Sequence, residues 1–70
     1  MTLIDLLKII PGNSYIMIDP FCEKRTQIMK VSNIPLGRIK RWLGWNVWQI
    51  NGSVDTNGEP FTFIAIEKEG

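Results

Sequence analysis

Proline and glycine divide this chain into short segments. Pro11-Gly12, Asp19-Pro20, Ile34-Pro35, Gly44 and Asn57-Gly58 punctuate it throughout. Proline cannot continue a helical hydrogen-bond ladder, and glycine weakens helix interiors and favours turns. Within the segments the longest apolar run is short, Phe63 to Ile66, where a membrane-spanning helix needs about 20 residues. A helix of two turns does not persist alone in water, so one this brief must lie on another part of the chain. A chain of 70 residues makes one domain, 1–70. Such a domain buries only roughly 60% of the surface its unfolded chain exposes, so its core is thin.

Thr2-Leu3-Ile4-Asp5 reads as a helix start, with Thr2 as cap and Asp5 in the first turn, although Asp is a weaker reciprocal partner than Glu or Gln. Leu3, Leu6, Leu7 and Ile10 fall on one helical face. Tyr15–Asp19 and Thr26–Val31 read as strands joined by a hairpin through Pro20 to Arg25. Pro35 to Leu43 reads as a short helix or helical turn, weakened by Gly37 and ended by Gly44. Trp45–Asn51 is a third strand and Phe61–Glu67 a fourth, with Asp55-Thr56-Asn57-Gly58 as the turn between them. Both faces of the fourth strand carry bulk, which places it inside a sheet. Asn51-Gly52 reads as a bulge rather than a rival turn. Alternation along the third strand puts Trp45 and Val47 on one face and Trp48 and Ile50 on the other. Residues 67–70 form a polar tail. The expectation is an α+β domain of order α-β-β-α-β-β, with a four-stranded antiparallel sheet packed by the N-terminal helix.

Absences narrow the function. There is no histidine, which excludes Ser-His and Cys-His nucleophiles and imidazole zinc sites. The single Cys22 forms no internal disulfide and fits a reducing, cytoplasmic setting. No basic stretch precedes the first apolar residues, so no signal peptide is read. Asp55, Asn57 and Glu59 alternate as calcium ligands do, but Gly58 sits at the wrong step and turn chemistry explains them. Cys22 has Lys24 and Arg25 nearby but no base, and reads as an inert loop thiol. No carboxylate pair and no glycine-rich phosphate loop stands out. The chain reads as non-enzymatic, with no cofactor, no metal and no small-molecule substrate.

The net charge of +1 is unevenly spread. Residues 23–42 hold Lys24, Arg25, Lys30, Arg38, Lys40 and Arg41 against Glu23 alone, while residues 43–70 hold Asp55, Glu59, Glu67 and Glu69 against Lys68. The segment Arg38 to Trp48 gathers three cations and all three tryptophans. The plain explanation is that the indoles fill a thin core and the cations face solvent. A domain this small cannot bury every aromatic equally well, so at least one of Trp42, Trp45 and Trp48 should be partly exposed. That makes a partner-binding patch of Trp42, Trp45 and Trp48, for another protein or a second copy, the favoured reading. The alternative is nucleic-acid binding by Arg38, Lys40, Arg41 and Trp42, joined by Lys24, Arg25 and Lys30 if they share a side.

The spacing of Thr2-Leu3, Leu6-Leu7, Ile10-Pro11, Tyr15 to Ile18, Ile34-Pro35 and Phe63 to Ile66, followed by an acidic tail, resembles small uncharacterised proteins encoded by phages and other mobile elements of Gram-positive gut bacteria. The Trp42 to Trp48 stretch departs from that pattern. The resemblance implies an accessory role, host-protein binding among the possibilities, and carries over no catalytic residue.

Overall fold

In the computed structural model, which describes residues 1–68, Thr2 opens helix α1 (Leu3–Ile9). Thr2 Oγ1 accepts the Asp5 N–H at 3.3 Å, and Asp5 Oδ2 accepts the Thr2 N–H at 3.4 Å. The short Asp side chain thus closes a full capping box. The helix stops at Ile10, whose extended backbone is what a residue before proline prefers.

The remaining elements are β1 (Tyr15–Pro20), β2 (Met29–Lys30), α2 (Leu36–Ile39), β3 (Asn46–Val54) and β4 (Pro60–Glu67), with 3-10 turns at Val31–Asn33 and Lys40–Trp42 on either side of α2. This is a small α+β domain with a four-stranded mixed sheet ordered β2-β1-β4-β3. β1 pairs antiparallel with β2 and β3 antiparallel with β4, but β1 and β4 run parallel, from Ile16↔Thr62 to Pro20↔Ile66. The expected all-antiparallel sheet is therefore corrected. The segment between β2 and β3 explains the difference. It is long enough for the crossover that two strands of one direction require, and its helical turns carry the chain from one edge of the sheet to the other. β4 then returns beside β1, pointing the same way.

β2 is much shorter than the expected Thr26–Val31. Thr26 N–H still donates to the Ile18 carbonyl at 2.8 Å, but the Ile18 N–H donates to Thr26 Oγ1 at 3.0 Å rather than to a backbone carbonyl. A hydroxyl has replaced a rung of the ladder, and regular pairing begins only at Met29.

A bulge does occur in β3, though not at Asn51-Gly52. Those residues pair regularly with Phe63 and Thr62, and the register slips between Val47 and Gln49. Trp48 is thus the inserted residue. One extra residue reverses the alternation beyond it. Val47 faces Ile66 and Ile50 faces Ile64, so Val47 and Ile50 share a face where simple alternation separates them.

One face of the sheet carries the core. Ile16 and Ile18 of β1 and Ile64 and Ile66 of β4 pack under Leu3 and Leu6 of α1 and under Ile39 and Trp42. Burying each large aliphatic side chain contributes about 1.5–3 kcal/mol. Among the described residues, no helix packs on the opposite face, which carries Tyr15, Met17, Phe61 and Phe63. No helix among the described residues is long and apolar enough to cross a membrane. Of the polar tail read at 67–70, Glu67 is the last residue of β4, and Glu69 and Gly70 lie outside the described residues.

Candidate interaction surface

Three of the sheet's features converge on β3. It is an edge strand. It is nine residues long and holds no charged side chain and no proline, reading Asn-Val-Trp-Gln-Ile-Asn-Gly-Ser-Val. It also exposes large apolar side chains: Trp48 at 54%, Ile50 at 48% and Val54 at 62% of full exposure. Proteins ordinarily blunt a sheet edge with short strands, lysines, prolines or a covering element. The β2 edge follows that rule, being two residues long and carrying Lys30. The β3 edge does not.

Backbone polarity along β3 follows from its pairing. Asp55 N–H donates to the Glu59 carbonyl at 2.9 Å, which makes 55 and 59 a bonded pair. Bonded and non-bonded pairs alternate along an antiparallel ladder. The N–H and C=O groups of Ser53, Asn51 and Gln49 therefore turn inward to β4. Those of Val54, Gly52 and Ile50 turn outward. Pro60, which has no N–H to give, sits opposite Val54, where none is needed. At the start of the strand the outer side is occupied: Val47 N–H donates to the Met1 carbonyl at 2.8 Å, and Thr2 bridges Asn46. Among the described residues, no backbone hydrogen bond reaches the outer side from Trp48 to Val54.

The turn closing the hairpin is held by its own hydrogen bonds. Asp55 Oδ1 accepts from the N–H groups of Asn57 and Glu59 at 2.8 and 2.9 Å, and Gly58 takes a φ of 79°. Asp55 thus spends its carboxylate on the turn itself.

The three tryptophans are dispersed in role. Trp42 is 6% exposed and belongs to the core cluster. Trp45 is half-buried against that cluster. Trp48 alone of the three is open to solvent. Trp42 Nε1 is buried and has no hydrogen-bond partner among the described residues, a cost of about 1–3 kcal/mol for a buried donor.

The basic block divides likewise. Lys24, Arg25 and Arg38 line one cleft, whose floor includes Met29, Ile39 and Trp42. Lys30 follows Met29 along β2 and so faces the other side of the sheet. Lys40 is exposed and lies outside this cleft. Arg41 lies 4.7 Å from the centroid of the Trp42 ring and bonds Glu23 at 2.6 Å. The cations and an exposed tryptophan are legible in the sequence. The outward-facing backbone of Ile50, Gly52 and Val54 is not, because edge position and bond direction depend on partners that alternation does not reveal. Cys22 is a free thiol, exposed in the loop after β1.

No protein-family model matches the chain, and neither a curated protein nor a solved structure matches it. The surface itself has to supply the functional argument.

Proposed function

We propose that this protein is a non-enzymatic interaction module that binds a protein strand along the outer edge of β3. The observation that carries the reading is the uncharged, uncovered edge from Trp48 to Val54, with the backbone groups of Ile50, Gly52 and Val54 free to pair. In this mode main-chain hydrogen bonds supply affinity, and alternate side chains supply selectivity. Trp48, Ile50 and Val54 offer the apolar contacts, and exposed tryptophan is a favoured interface anchor. Extended peptides selected for binding from a random library test the reading through amide hydrogen exchange. Binders should slow exchange at Ile50, Gly52 and Val54. Binders that leave those three amides unchanged, or a library that yields none, would reject it.

A second reading rests on the cleft of Lys24, Arg25 and Arg38. Three cations without an acid among its lining residues suit phosphate oxygens. Burial of Trp42 under Arg41 removes the platform on which a base would stack, so this reading is of phosphate contact alone. Titration with a mixed single-stranded oligonucleotide at low and moderate salt checks it. Shifts should centre on these three residues, fade with salt and weaken in Arg38→Gln. A response indifferent to Arg38→Gln would end it.

A further inference from the structure

We infer that the strand received by the β3 edge is β3 of a second copy, running antiparallel with Gly52 facing Gly52 across a two-fold axis. The inference rests on the strand-addition reading above and fixes its partner and register.

The outward-facing groups set the register. An added antiparallel strand must bring its own outward residues opposite Ile50, Gly52 and Val54. β3 itself has them at the right spacing, every second residue. With Gly52 on the axis, Ile50 of each copy faces Val54 of the other, and every facing pair exchanges both of its N–H···O bonds. No other centre within this stretch matches all three positions at once.

The side chains agree. Ile50 and Val54 lie on the same sheet face and are both about half-exposed or more in the single chain, so the pairing brings apolar against apolar. On the opposite face Asn51 meets Ser53, and at the ends Gln49 meets Asp55, so no like charges face each other. Gly52 on the axis has open space where a side chain would stand. The Asp55–Gly58 turn ends the strand just where Met1 begins to occupy the partner's outer edge, so the two copies do not compete with that contact. The result is a continuous sheet with the short, lysine-bearing β2 edges at its two ends, an interface that closes on itself rather than growing into a fibre.

Sedimentation of Gly52→Lys, Gly52→Glu and an equimolar mixture of the two tests it. The open space at Gly52 lets either side chain project without disturbing the single chain. The native protein should dimerise with rising concentration. Each charged variant should sediment as a monomer, since like charges then meet on the axis. The mixture should recover the dimer, and added salt should weaken that recovery. A native protein that stays monomeric at its solubility limit overturns the inference, as do charged variants that dimerise like the native chain. Amide exchange on a native monomer with a bound extended peptide separates the two failures. Protection at Ile50, Gly52 and Val54 would keep strand addition while discarding self-pairing. Its absence would discard both.

Discussion

Ile50 stands directly across the ladder from Ile64, yet Ile64 is fully buried and Ile50 is half-exposed. The two face the same side of the sheet, and the helical cover simply ends between them. Their substitutions should part accordingly. Ile64→Ala should lower stability by about 2–5 kcal/mol, the usual cost of truncating a core aliphatic. Ile50→Lys should change the stability of the monomer by no more than about 0.5 kcal/mol, as for an exposed site. Urea unfolding of both at low protein concentration checks the contrast.

Cys22 holds a φ of 63° at the third position of a turn closed by the Glu23 N–H and the Pro20 carbonyl, 3.1 Å apart. A side chain disfavours that conformation by roughly 1–2 kcal/mol, and glycine does not. Part of the gain is lost to the greater freedom of glycine in the unfolded chain. Cys22→Gly should therefore raise stability by up to about 1 kcal/mol, seen as a higher urea midpoint. An unchanged or lower midpoint would mean that the thiol contributes a contact the geometry does not account for.

The orphaned Trp42 Nε1 gives a different kind of contrast. Trp42→Phe removes an unpaired donor and keeps most of the ring, so the loss of packing and the relief of the donor nearly offset. Its effect should stay within about 1 kcal/mol. Trp42→Ala empties the site and should cost about 3–5 kcal/mol. Chemical denaturation of the pair measures the difference. Equal losses would show that the indole N–H does find a partner in solution.

Asp5 titrates below the usual carboxylate range, first because Thr2 Oγ1 is hydrogen-bonded to it, then because of the Thr2 N–H, with smaller help from Lys8 and the amino terminus. A depressed carboxylate pKa stabilises the fold at pH values above the unfolded value, and that contribution fades as pH falls through the folded one. The urea midpoints of the native chain and Asp5→Asn should thus differ at neutral pH and converge in acid. Parallel curves down to low pH would show that the capping box adds nothing through ionisation.

Local chemistry was readable from the residues in this chain, and direction was not. The cap at Thr2, the stop at Pro11 and the turn at Asp55–Gly58 each depend on a few adjacent residues, and each forms as those residues dictate. The parallel pairing of β1 with β4 depends on how a crossover lays β3 at the far edge, which no local pattern encodes. The bulge is the instructive case. Asn51-Gly52 carries the usual composition, but Trp48 carries the insertion, because Val47 is tied outward to Met1 while Gln49 must turn inward to Ala65. Two long-range bonds of opposite sense force an extra residue between them. The β3 edge inherits its parity from that insertion, so it was legible only in part: the exposed tryptophan was foreseeable, and the backbone groups beside it were not.

The bond from Val47 to Met1 has a practical corollary. The first residues run antiparallel to β3, with Thr2 at Asn46, so anything attached ahead of Met1 is aimed along the strand toward Ile50. An affinity tag fused there would be fed along the same outer edge of β3 that is proposed to receive a partner, as an intramolecular decoy at high local concentration.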